Sequence, residues 1–82
     1  NEFINLQLPV LKSGMYQNSG YGNQIKAMQH LLISNGFDCG PYGADGSFGA
    51  STLKAVKAFQ KSAGMGQDGI CGIKTWNKLL GN

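Results

Sequence analysis

The sequence predicts an all-α fold, a small bundle of three helices joined by glycine-rich loops. Three observations carry that prediction. Apolar residues recur at helical spacing in three separate windows. A short Asp-Gly motif occurs twice, each time just ahead of one of those windows. No stretch sustains the apolar–polar alternation of a half-buried strand, which limits β-structure to a short pair near the loops. With 82 residues, 41% hydrophobic and 13% charged, the chain is one small domain with a single thin core. Its 13 glycines against 2 prolines imply many turns with positive φ, without a collagen-type repeat.

The first window runs from about Asn23 to Ser34, with Ile25, Met28, Leu31 and Leu32 on one face. Asn23 is expected to cap it, its side-chain oxygen taking an orphan backbone N–H. Asn35-Gly36 supplies the left-handed residue that ends it. The second window runs from about Ala50 to Ser62, with Leu53, Val56, Phe59 and Ala63 on its stripe and Gly64 closing it. Lys54, Lys57 and Lys61 mark its solvated side. The third, from about Ile73 to Leu80, turns Trp76, Leu79 and Leu80 inward and is followed by Gly81. Residues 1–22 read as an arm and loop lying on the 23–82 helical domain: the apolar patch Leu6 to Leu11 around Pro9 covers the core, and Tyr16 to Gly22 is a polar, glycine-spaced loop. The first residue is Asn1, which leads us to expect a piece cut from a longer protein. Leu31-Leu32-Ile33, the longest aliphatic run, is far short of a membrane span.

The most informative pattern is an internal echo. Asp45-Gly46-Ser47-Phe48-Gly49-Ala50-Ser51-Thr52 and Asp68-Gly69-Ile70-Cys71-Gly72-Ile73-Lys74-Thr75 share Asp-Gly-x-x-Gly-x-x-Thr at an offset of 23. Ile25-Lys26-Ala27-Met28-Gln29 and Val56-Lys57-Ala58-Phe59-Gln60 echo at an offset of 31. Together they indicate a duplicated helical unit rather than a solenoid. In each motif the carboxylate is expected to accept N–H groups two residues on, with glycine supplying the positive φ. Phe48 and Ile70 are expected to drop into the core. The second glycine is expected to permit close backbone approach, and Thr52 and Thr75 to bond the Asp or the helix start.

The charges exclude some partners. Seven lysines without arginine face four acids, giving +3. Base-edge reading of DNA relies on arginine's fork, and basic stretches interleaved with aromatics are missing too, so nucleic acid is not expected. Catalysis and metal binding also find little support. His30, Cys39, Cys71 and Asp38 include no close-spaced ligand pair for zinc. A Cys39–His30 nucleophile would need a larger scaffold, and His30 reads as an exposed helix residue. No carboxylate follows Asp45 or Asp68 in its repeat, which rules out a calcium loop. Gly64 to Gly69 matches Gly-x-Gly-x-x-Gly, but after a helix rather than a strand. Cys39 and Cys71 are compatible with one disulfide or with two buried thiols. Cys71 stands where the first repeat has Phe48, which tips the balance toward burial.

The ordered set Ile25 to Gln29, Asn35-Gly36, Tyr42 to Gly49, Ala55 to Gln60, Asp68 to Gly72 and Thr75-Trp76 resembles the bacterial peptidoglycan-binding domain, over about Leu8 to Leu80. Two departures, the long Tyr16 to Gly22 loop and Met65-Gly66, bear on ligand preference more than on fold. The resemblance implies a three-helix orthogonal bundle without catalysis or cofactor. It also implies a monomer outside the cell, at the cell wall or spore cortex, holding an attached hydrolase against peptidoglycan stem peptide or glycan. Tyr42, Asp45, Ser47, Phe48 and Trp76 cluster around the echoing loops and are the expected ligand contacts, Phe48 and Trp76 having core as their competing role. The different-class alternatives are an inhibitory pro-domain or protein-interaction module and a minimal cysteine enzyme. Metalloproteinase pro-regions share the fold and use a Cys-Gly dipeptide like Cys39-Gly40, but theirs follows the helices, and Phe37-Asp38 does not match the Pro-Arg that precedes it.

Overall fold

Among the described residues three helices follow one another: α1 (Gly22–Ser34), α2 (Ala50–Ser62) and α3 (Ile73–Leu79). The computed structural model describes residues 9–15 and 20–81; the parts of the arm and loop expectations that fall on residues 6–8 and 16–19 lie outside them. The helix α1 packs against both α2 and α3, so its stripe of Ile25, Met28 and Leu32 is fully buried. Phe48, Val56, Cys71 and Trp76 close the core around it. Burial of each large apolar side chain contributes roughly 1.5–3 kcal/mol, and this supplies the cohesion of so small a bundle.

All three helices end alike. In α1, Gly36 takes φ +89 and donates its N–H to Ile33 O, while Phe37 N–H reaches back to Leu32 O. In α2, Gly64 at φ +73 and Met65 repeat the arrangement on Lys61 O and Gln60 O. Gly81, after α3, donates to Lys78 O. These bonds satisfy carbonyls that the helix itself leaves free, and glycine makes the reversal possible without a Cβ penalty.

The helix starts differ from expectation. α1 begins at Gly22 with Tyr21 as its N-cap, so Asn23 lies inside the first turn and does not cap. None of the three described helices carries a side-chain cap. For α2 and α3 the reason is direct: the N-cap residues are Gly49 and Gly72, which have no side chain to offer. Those glycines also lack the steric role expected of them, because a Cβ on either would meet nothing within 4 Å. The constraint sits instead on the first glycine of each motif. Gly46 and Gly69 take φ +82 and +73, and a Cβ on Gly69 would run into Leu53 Cδ1.

Two core expectations are corrected. Ile70 is 39% exposed, while Cys71 is fully buried. The echo aligns Cys71, not Ile70, with the buried Phe48, so one side chain per loop enters the core, three residues after the Asp. Leu80 is 41% exposed, since α3 stops at Leu79 and leaves Leu80 as its C-cap.

The described arm, residues 9–15, stitches the two loops together at these same echoing positions. Leu11 N–H donates to Cys71 O at 3.0 Å, and Cys71 N–H returns the bond at 2.7 Å. This is an isolated antiparallel bridge. Three residues on, Gly14 N–H donates to Phe48 O at 3.0 Å, and Phe48 N–H donates to the O of the next residue, Met15, at 2.7 Å. Leu11 is itself fully buried, whereas Val10 is 59% exposed, the alternation that an extended segment imposes.

Candidate functional site

Each Asp-Gly corner is gripped by a glutamine from the helix that precedes it. Gln29, fully buried in α1, accepts the Gly46 N–H on Oε1 at 2.9 Å. Its Nε2 lies 3.1 Å from Asp45 Oδ1, 3.0 Å from Ser47 O and 3.0 Å from Thr52 Oγ1. Gln60 does the same one repeat later. Its Oε1 accepts the Gly69 N–H at 3.0 Å, and its Nε2 lies 2.9 Å from Asp68 Oδ1, 3.1 Å from Ile70 O and 3.1 Å from Thr75 Oγ1. A side-chain amide has two hydrogens for these three acceptors, so one N–H is shared. Among the described residues no buried side-chain polar atom is left without a partner. The glutamines stand in the sequence as the last residue of the Ile25–Gln29 echo and its repeat, but spacing alone carries no role for them. Of the two partners expected for the threonines, the Asp or the helix start, the Asp is not bonded; both hydroxyls meet the glutamine, and Thr75 Oγ1 also donates to Ile70 O at 3.5 Å, just ahead of α3.

The carboxylates behave as the turn chemistry predicts. Asp45 Oδ1 accepts the Ser47 N–H at 2.9 Å, and Asp68 Oδ1 accepts the Ile70 N–H at 2.9 Å. The Ser47 amide, joined by Gln29 against a smaller opposing desolvation, holds the Asp45 carboxyl below its ordinary range. The Ile70 amide and Gln60 do the same for Asp68. Both are therefore ionised at neutral pH and tied into their loops.

The two repeats differ in one respect that shapes a cleft. Gln29 and Asp45 are 16 residues apart, Gln60 and Asp68 only 8. The additional chain folds back over α1 and α2. Phe37 sets its ring edge-on to Phe59, centroids 5.6 Å apart, and Cys39 Sγ donates to Gln29 O at 3.8 Å. Gly40, at φ +97, lies so close to α2 that a Cβ would stand 2.6 Å from Ser51 Cβ. The segment is thus pressed onto the first turn of α2, and the next residues turn outward, leaving Tyr42 82% exposed. Between them runs an open cleft of about 200 Å³ lined by Pro41, Tyr42, Asp45, Ser47, Ser51 and Thr52, among others.

Of the five expected contact residues, the structure brings Tyr42, Asp45 and Ser47 to this cleft. Phe48 and Trp76 are 0% and 1% exposed, so neither presents a face to a ligand. Trp76 is held from both ends: its ring fills the core, and its Nε1–H donates to Pro9 O at 2.8 Å. Aromatic bulk wins over proximity to the loops here, because a three-helix core has few other side chains of that volume.

The candidate nucleophiles lie inside the core. Both cysteines are free and buried. Burial, with Asp38 and Asp45 nearby, raises the Cys39 thiol, and burial alone pushes Cys71 up to about 12. Nucleophilic cysteine needs the opposite shift. His30 is exposed, and the Cys39-Gly40 dipeptide turns its sulfur inward rather than presenting it. Among the described residues no group of three or more His, Cys, Asp or Glu gathers to hold a metal, and no helix is long and apolar enough to cross a membrane.

The peptidoglycan binding domain profile matches residues 21–79, which takes in all three helices and both glutamine-held corners. The chain belongs to the peptidoglycan-binding domain family. This peptidoglycan-binding domain is 54% identical over 58 residues to the N-acetylmuramoyl-L-alanine amidase CwlL of Bacillus licheniformis, covering 71% of the chain and 16% of the amidase. A second B. licheniformis protein, a probable N-acetylmuramoyl-L-alanine amidase by name, is 44% identical over 70 residues, covering 85% of the chain and 18% of that protein. The chain therefore spans less than a fifth of the length of these relatives. Among solved structures, the SleB N-terminal domain superposes with a TM-score of 0.77 at 32% identity, over 90% of this chain and 92% of that one. A peptidoglycan-binding protein of Clostridioides difficile, solved in complex with glutamine hydroxamate, superposes with a TM-score of 0.75 at 39% identity, over 88% of this chain and 40% of that one.

Proposed function

We propose that this domain holds peptidoglycan in the cleft beside Tyr42, without acting on it, and keeps an attached cell-wall hydrolase at its substrate. The observation that carries the reading is the exposure of Tyr42 at the mouth of a cleft whose floor is locked by Gln29. An aromatic ring left 82% in water is poorly explained by packing, and beside the hydroxyls of Ser47 and Ser51 it forms the mixed apolar and polar wall that a sugar-peptide polymer needs. Asp45 shapes that wall through the turn it closes. The buried, protonated thiols and exposed His30 support a binding role over a chemical one. Amidases among the relatives support a hydrolase as the covalent neighbour in the full-length protein, working as a monomeric arm at the cell wall or spore cortex. In that arrangement residues 9–15 serve as a packing arm on a helical domain that opens with α1 at Gly22.

The test is co-sedimentation with purified, insoluble sacculi. The folded chain pellets with sacculi through moderate salt, and Tyr42→Ala, which removes an exposed ring without touching the core, releases it. Retention lost on mild salt addition in the unmodified chain would leave only lysine electrostatics and reject the reading.

A further inference from the structure

The duplication that builds the two loops also duplicates the cleft above each. A second open cleft, about 500 Å³ against about 200 Å³ for the first, lies over the Asp68 corner, and its volume is in the roughly 300–1,000 Å³ range of small-ligand sites. Its floor is the same glutamine–aspartate–threonine lock. Its walls are not the same. Where the first cleft has Ser47, Ala50 and Ser51, the second has Ile70, Ile73 and Lys74 at the corresponding steps of the echo. Two small polar groups and a methyl have become two branched alkyl chains and an ammonium.

Neither isoleucine is used by the core. The buried step of each loop is Phe48 or Cys71, both fully enclosed, while Ile70 and Ile73 remain 39% and 40% exposed. With Met65, which lines the same cleft, they keep apolar surface in water that a ligand would favourably cover. The acid on this wall, Asp68, has Oδ1 committed to Gln60 and to the Ile70 N–H. Lys74 is exposed at the rim, where it supplies a cation to a ligand that carries a carboxylate.

We propose that this second cleft is a separate subsite for the peptide stem of peptidoglycan, its alkyl side chains lying on Ile70 and Ile73 and its terminal carboxylate meeting Lys74. The proposal rests on the peptidoglycan reading above and assigns the two clefts different parts of the polymer, saccharide at Tyr42 and peptide at Lys74.

The test is an amide chemical-shift titration of the 82-residue chain with the free pentapeptide stem, the same peptide amidated at its C-terminus, and the soluble disaccharide. The free peptide shifts the amides of Ile70 to Lys74 and leaves Tyr42 to Gly49 in place. Lys74→Gln weakens it by about two- to fivefold, amidation of the peptide weakens it equally, and the two changes together cost no more than either. Peptide shifts centred on Tyr42 to Gly49, no shifts at all, or an undiminished Lys74→Gln loss with the amidated peptide overturns the subsite. Sacculus sedimentation separates the two claims. Sacculi retained while the peptide ignores Ile70 to Lys74 reject the subsite alone, and sacculi not retained reject the peptidoglycan reading itself.

Discussion

Gln60 Nε2 reaches Thr75 Oγ1 across 3.1 Å, joining a side chain on α2 to the first turn of α3 through the loop between them. Gln29 and Thr52 make the same bond at 3.0 Å one repeat earlier. Each helix is thus fastened to the next by a buried amide that also holds the intervening corner. In a bundle whose N-caps are glycine or uncapped, these two amides do the positioning that capping side chains do elsewhere.

Substitution of either glutamine is therefore costly. Gln29→Ala or Gln60→Ala strands a buried glycine N–H and removes the donor from three acceptors, with an expected loss of about 2–4 kcal/mol. Urea unfolding followed by far-UV circular dichroism measures it. A loss below about 1 kcal/mol at both sites would show that the amides merely occupy space.

The glycines of the motif separate by role. Gly69→Ala combines a positive φ with a collision against Leu53 and is expected to cost more than about 2 kcal/mol. Gly72→Ala, at negative φ with open space around the new methyl, costs less than about 1 kcal/mol. Thermal midpoints of the two variants, compared side by side, check the contrast.

Trp76→Phe keeps most of the core volume and removes the Nε1–H···O bond to Pro9. The expected cost is about 1–2 kcal/mol. Because Trp76 is enclosed, sacculus binding by the folded variant stays unchanged. Equilibrium unfolding and sedimentation, run on the same preparation, report the two quantities separately.

Acid weakens the fold in a defined window. Asp45 and Asp68 have lowered folded-state values, so the unfolded chain binds more protons as pH falls. Their contribution is complete above the unfolded carboxyl range, near about pH 4, and is lost as pH drops through the folded values. Stability is flat in these two groups from neutrality to about pH 5 and declines below it. Asp45→Asn and Asp68→Asn together flatten that decline, which a urea series between pH 2 and pH 7 resolves.

The thiols stay silent until the chain unfolds. With Cys39 and Cys71 buried and both thiols raised, iodoacetamide at neutral pH leaves the native mass unchanged and adds two carbamidomethyl groups in denaturant. A chain that resists alkylation even in denaturant would instead indicate a disulfide.

Much of this architecture is legible in the residue order. The spacing of Ile25, Met28 and Leu32 fixes the buried face of α1, Gly36, Gly64 and Gly81 mark where helices end, and the twin Asp-Gly motifs announce two like corners. These follow from local rules, since periodicity, φ preference and an Asp bonding its own turn act within a few residues. Other features depend on contacts between distant parts of the chain. That Gln29 and Gln60 face inward to hold the corners, that Cys71 rather than Ile70 enters the core, that Trp76 is closed off by Pro9 while Tyr42 stands in water, and that the two clefts carry different walls were all decided when α1 packed on α2 and α3. Burial is a property of the neighbours a side chain acquires on folding, and polar groups such as these glutamines go inside only where folding also brings them their partners.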